Sequence, residues 1–185
     1  MKKYILEYKP FLLFLASFFI TYLVLAFIYQ TYLSEFDEKK LEVDTITKSV
    51  AHQTKIVLSL VDSQSHSEPN IKEASVNLFY KNKWVARVIE GCNAISVMIL
   101  FISFVIAFKG NFIKSLFFIV FGCVIIHILN IVRIALLCMA MFHYPQWQDV
   151  LHSIVFPLFI YGVVFVLWVI WVNKFSYYAK KNTAK

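Results

Sequence analysis

The chain has 185 residues, 60% hydrophobic and 18% aromatic, with a mean hydropathy of +0.69. That is too apolar for a soluble globular chain, and it excludes a soluble enzyme, a disulfide-stapled secreted domain and a disordered tail. The net charge of +7 comes from only 16% charged residues. No Lys/Arg stripe lies on a soluble face, so no nucleic acid is expected and the charge is read against a lipid bilayer.

Four segments approach the roughly 20 apolar residues that cross a hydrocarbon core of about 30 Å. They are Phe11 to Tyr29, Asn93 to Phe108, Phe112 to Phe142 and Leu151 to Val172. The first follows Met-Lys-Lys as a signal peptide does. Its apolar run is longer than an h-region and no Ala-x-Ala site follows, so it is read as a retained anchor.

The expected fold is an all-α integral membrane protein of four transmembrane helices with a small extracytoplasmic insert. The parts are a cytoplasmic N-terminus with the first span (1–29), the insert (30–91), a three-span core (92–173) and a basic cytoplasmic tail (174–185). Lys and Arg in short loops stay cytoplasmic. With the N-terminus inside, Lys2, Lys3, Lys9, Lys109, Lys114, Lys174, Lys180, Lys181 and Lys185 face only Glu7. The other side holds the remaining nine cations against ten acids, so the whole excess is cytoplasmic and both termini are inside.

Within the insert, Leu41 to Val61 carries Val43, Ile46, Val50, Val57 and Val61 at helical spacing, which predicts an amphipathic helix. Ser63 to Asn70, polar and containing Pro69, reads as a loop. Ser75 to Tyr80 and Trp84 to Ile89 flank Lys-Asn-Lys as a β-hairpin, with Asn82 suited to a left-handed turn position. An insert this small has no independent core and is expected to pack on the outer surface of the bundle.

Cys92 opens the second span in Glu90-Gly91-Cys92-Asn93, and His152 opens the fourth in Asp149-Val150-Leu151-His152. The third segment, at 1.5 Å per residue, is about 46 Å long and exceeds the hydrocarbon thickness. Entered at Lys114, its twentieth residue is Arg133, with Ile134 to Phe142 left as an extension, a bend or a re-entrant stretch. Asn130 and Arg133 share a face at i,i+3. A charged side chain in an apolar run costs about 2.5–3.5 kcal/mol at a helix centre and is by default functional or paired.

Three helices thus bring a thiol, a guanidinium and an imidazole to one face of the membrane. That set suits nucleophilic acyl transfer: Cys92 attacks a carbonyl, His152 is general acid and base, and Arg133 stabilises the oxyanion or orients the substrate. Each residue also has an ordinary reading, as a structural Cys, an interfacial His and a snorkelling Arg. Cys92 is the only cysteine clearly outside, an unpaired thiol; Cys123 reads as a small apolar residue, and Cys138 moves outward only if the third span bends. His127 reads as a satisfied polar group. His143, beside Pro145, competes with His152, which is preferred because a regular helix positions it. Asn130 and Asp149 are supporting residues for Arg133 and the imidazole. No Gly-x-Ser-x-Gly elbow, His-Glu-x-x-His zinc site or Gly-rich phosphate loop occurs, and no metal or cofactor is expected.

These motifs, Glu90-Gly91-Cys92-Asn93-Ala94-Ile95, Asn130-Ile131-Val132-Arg133-Ile134 and His152 at the start of the last span, resemble the exosortase/archaeosortase family of membrane cysteine transpeptidase-like enzymes. The resemblance covers mainly Glu90 to Val172. It implies that Cys92, Arg133 and His152 are the catalytic set. It also implies that the partners are exported proteins ending in a short motif, a transmembrane helix and a basic tail, cleaved outside the membrane, with hydrolysis and transfer to an envelope acceptor both open. Larger members have around eight spans; this chain looks like the compact branch, most closely the exosortase F type, and its missing helices raise the expectation of a small membrane partner subunit. The competing reading is a non-catalytic membrane scaffold or assembly subunit of an envelope export system, docking through the insert.

Overall fold

The structure is a computed structural model that describes residues 8–108 and 110–175. The charges assigned to Lys2, Lys3, Glu7, Lys109, Lys180, Lys181 and Lys185, and the tail beyond 175, lie outside the described residues. In chain order the elements are helices α1 (Lys9–Leu33) and α2 (Thr45–Val61), strands β1 (His66–Pro69), β2 (Val76–Tyr80) and β3 (Lys83–Val88), then helices α3 (Ile95–Ala107), α4 (Phe112–His143) and α5 (Pro145–Phe175). Among the described residues three helices, α1, α4 and α5, are long and apolar enough to cross a membrane.

The segment expected as the second span differs. Its helix α3 has 13 residues, about 20 Å at 1.5 Å per residue, and does not reach across about 30 Å of hydrocarbon by itself. Local chemistry sets both ends. Ala94 takes a left-handed backbone (φ 64°) that cannot continue a helix, and at the other end Asn111 caps the next helix by accepting from Ile113 and Lys114 N–H. Aromatic contacts hold α3 among its neighbours: Phe104 stacks on Trp168 of α5 with centroids 4.1 Å apart, Phe14 of α1 meets Phe104 edge-on, and the buried Phe101 ring lies directly over Gly122 of α4. The Trp171 indole donates to the Phe108 carbonyl at 3.2 Å, fixing the far end of α3 against α5.

The long third segment is one unbroken helix of 32 residues, so of the three courses open to Ile134 to Phe142 it takes the extension. That extension forms part of a second core. Ile134, Ala135 and Cys138 of α4 pack with Val50, Ala51 and Leu58 of α2 and with Leu78, Tyr80, Val85 and Val88 of the sheet. The insert therefore lacks a core of its own and uses the end of α4 to complete one. The other core joins α3, α4 and α5 through Phe101, Phe118, Ile126, Ile160, Val164 and Trp171.

The insert departs from expectation in two details. Helix α2 begins at Thr45, after Asp44 caps it by accepting from Thr47 N–H at 2.9 Å, and not at Leu41. Its buried face is Thr47, Val50, Ala51, Thr54 and Leu58, while Val61 is exposed. Two threonines on that face satisfy their hydroxyls, Thr54 Oγ1 by donating to the Val50 carbonyl and Thr47 Oγ1 by accepting from Asn93, so the buried arc marked by Val43, Val50 and Val57 also takes polar residues, and Val61 is exposed as the last residue of the helix. The expected loop Ser63 to Asn70 contains β1, the outer strand of an antiparallel sheet ordered β1-β2-β3. Its Pro69 is tolerated because it closes an edge strand, where a missing N–H breaks no ladder. The hairpin is present, turning at Lys81 and Asn82, both left-handed (φ 52° and 57°).

Candidate active site

The site lies between the two cores and begins with the link from β3 to α3. Glu90–Cys92 form one 3-10 turn, closed by Cys92 N–H to the Ile89 carbonyl at 2.9 Å. The next residue, Asn93, is buried. Its amide donates to Tyr29 Oη of α1 at 2.7 Å and to Thr47 Oγ1 of α2 at 3.2 Å, while its side-chain oxygen accepts from Ile95 N–H at 3.0 Å. One side chain thus ties α1, α2 and the start of α3 beside Cys92. Ala94 completes the link in a conformation that costs a non-glycine residue roughly 1–2 kcal/mol, held by burial and the Asn93 bonds.

Helix α4 contributes the second part. Asn130 is fully buried; its amide donates to the Cys92 carbonyl at 2.8 Å and its side-chain oxygen accepts from Arg133 Nη1 at 3.4 Å. The i,i+3 spacing puts both residues on one face, so Asn130 bridges the Cys92 turn and the guanidinium. Arg133 is half-buried, and its Nε is buried with no hydrogen-bond partner among the described residues. A donor left in that state is ready for an acceptor brought by a ligand.

His152 comes from α5, in a π-helical turn, Leu151–Val155, closed by Phe156 N–H to the Leu151 carbonyl. The regular helix expected at this histidine begins only at Phe156. Pro157 supplies the reason: it has no N–H to offer the Ser153 carbonyl and its ring pushes that carbonyl aside, which widens the preceding turn. His152 is exposed and makes no hydrogen bond among the described residues, leaving both ring nitrogens free.

Cys92, Arg133 and His152 line one cavity of about 370 Å³, with Gln148, the apolar side chains Ile134, Leu137 and Met141 of α4, and residues 84–89 along β3. His143 is exposed at the end of α4, edge-on to Phe142, and does not line it. Asp149 is exposed, lines no part of it and makes no bond to His152 among the described residues. All three cysteines are free thiols; Cys138 is buried in the insert core, on the unbroken helix α4, and Cys92 alone of the three borders the cavity. His127 pairs with Gln53 of α2 at 2.7 Å, away from the cavity. No group of three or more His, Cys, Asp or Glu suited to a metal ion is present among the described residues.

Sequence reasoning missed two contributions. Asn93 was visible only as a letter of the Cys92 motif, although an Asn directly ahead of an apolar helix carries a capping signal. The strand wall left no local signal, since it depends on which way the hairpin leans against α4. As arranged, the cavity sets a thiol, an imidazole free to exchange a proton and a guanidinium with an unused donor around one space, the requirements of acyl transfer through a sulfur nucleophile.

No curated protein and no solved structure matches the chain significantly. The family model described as Transmembrane exosortase (Exosortase_EpsH) matches residues 9–173. With nearly the whole chain covered, and with three helices able to cross a membrane, this multi-pass membrane protein belongs to the transmembrane exosortase family.

Proposed function

We propose that the protein is a cysteine peptidase or transpeptidase that cleaves the C-terminal sorting signals of exported proteins at the outer face of the cytoplasmic membrane. The observation that carries this reading is the shared cavity: three side chains from three separate segments, Cys92, Arg133 and His152, border the same space. His152 takes the Cys92 thiol proton as the sulfur attacks the scissile carbonyl, and Arg133 donates to the resulting oxyanion. Collapse of the tetrahedral species breaks the C–N bond, and His152 returns the proton to the leaving amine. The acyl group stays on sulfur as a thioester until water, or an acceptor nucleophile from the envelope, attacks it, gives up a proton to His152 and frees the thiol.

In this reading the chain crosses the membrane four times, with both termini inside and the insert outside. The short α3 makes the second crossing together with its flanking residues. The lysine distribution supports that orientation. The compact chain corresponds to the exosortase F type. A substrate helix with a cytoplasmic basic tail would then present its motif beside Cys92.

The test is expression of Cys92→Ala in the native host with mass spectrometry of exported proteins' C-termini. A defined set of proteins retaining uncleaved tails is expected. Unchanged processing would sink the proposal in favour of the scaffold reading, under which Cys92 is replaceable.

A further inference from the structure

All six residues from 84 to 89 line the cavity. Side chains along a strand alternate between faces, so a wall built from one face would hold every second residue. Six in succession mean that the cavity runs along the strand's edge. In the order β1-β2-β3, one edge of β3 pairs with β2 and the other pairs with no strand. Such an edge exposes a row of backbone N–H and C=O groups, a template for another extended chain. Ile134, Leu137 and Met141 of α4 form an apolar wall of the same cavity, and the turn through Glu90 and Gly91 sets Cys92 just past the C-terminal end of β3.

We infer that β3 is the substrate-binding element of the site: an extended segment of the exported protein, just ahead of its apolar anchor, joins β3 as a fourth strand and is thereby led to Cys92 Sγ. The inference rests on the peptidase reading above and adds how the substrate is held. The cavity itself selects the occupant. Backbone pairing requires an extended peptide, because a helix has already used its own N–H and C=O groups. The lining carries no carboxylate, and while the Arg87 guanidinium is paired with Glu73 at 2.6 Å, Arg133 brings a cation whose Nε has no partner among the described residues, so a neutral or acidic segment is favoured over a basic tail. Main-chain bonds along about 20 Å of strand supply affinity, and the apolar side chains of α4 read what projects from the segment.

The experiment uses the full-length Cys92→Ala chain in native-host membranes, with a photo-crosslinking amino acid at Trp84, Arg87 or Ile89, all exposed, and at Leu60 on the outer face of α2 as control. The probe is the set of uncleaved exported proteins accumulating in those membranes. At least tenfold more adduct is expected from each strand position than from Leu60. The adducts should map to the segment preceding the apolar anchor and shift steadily along it from position 84 to 87 to 89. Adducts on the anchor helix, on a second copy of this chain, or no more frequent than at Leu60 would overturn strand addition while leaving the peptidase reading intact. If no uncleaved protein accumulates, the peptidase reading fails and strand addition fails with it.

Discussion

The Asn130 amide donates a 2.8 Å hydrogen bond to the Cys92 carbonyl, joining the middle of α4 to the turn 38 residues earlier in sequence. The same side chain accepts from Arg133 Nη1, so one buried amide links the backbone of Cys92 to the guanidinium.

Asn130→Ala should therefore act on both partners. Leaving the Cys92 carbonyl without its donor costs about 1–3 kcal/mol, read as a lower unfolding temperature of the detergent-solubilised protein. Processing of exported C-termini should fall at least tenfold. Asn130→Asp keeps an acceptor for Arg133 but removes the donor, and should fold better than Asn130→Ala while processing no better than one tenth of wild type. Full activity in either variant would separate the Asn130 bridge from catalysis.

Arg133→Met should split stability from activity. Relief of the buried Nε is offset by the acceptor freed on Asn130, so stability should change by no more than about 1 kcal/mol. Processing should fall by about 100-fold or more, the usual effect of losing an oxyanion donor. Arg133→Lys should rescue little, because an ammonium on a flexible stem does not reproduce the planar fork. Cleavage within twofold of wild type in Arg133→Met would remove this residue from the mechanism.

Asn93 makes three hydrogen bonds, to Tyr29, Thr47 and Ile95. Asn93→Ala should destabilise more than Tyr29→Phe or Thr47→Val alone. The Asn93→Ala and Tyr29→Phe pair should show a coupling of about 0.5–3 kcal/mol in a double-mutant cycle of thermal unfolding. Strict additivity would mean that the buried bond between them carries no stability.

Gly122 has no room for a methyl group, since a Cβ there collides with the buried Phe101 ring. Gly122→Ala should cost about 1–3 kcal/mol through overpacking, and Phe101→Leu in the same chain should recover part of it. Equal unfolding temperatures for wild type and Gly122→Ala would show that the α3 and α4 contact yields without strain.

Much of the fold is legible in particular residues because their signals are local. Apolar runs mark α1, α4 and α5, Lys81 and Asn82 mark the hairpin turn, and Arg133 stands out as a cation within apolar sequence. The same kind of reading erred where the signal was not local. Val61 looked inward by its apolarity, yet it is exposed as the last residue of α2, while Thr54 and Thr47 earlier on the same face are buried because other groups satisfy their hydroxyls. Pro69 looked like a loop residue, yet an edge strand accommodates it. The helix of His152 looked regular, although Pro157 five residues on was the available sign of a widened turn.

Composition and motif order by themselves determined that this is a multi-pass membrane protein and pointed to its family, because hydrophobic length and residue spacing are properties of neighbours along the chain. Only the tertiary structure decided that α4 continues unbroken to complete the core of the insert, that Asn93 ties three helices beside Cys92, and that β3 borders the cavity with Cys92, Arg133 and His152. Those relations join residues tens of positions apart, and their physical cause is burial: a polar side chain or a strand edge takes the partner that the packed fold brings to it, which no local pattern specifies.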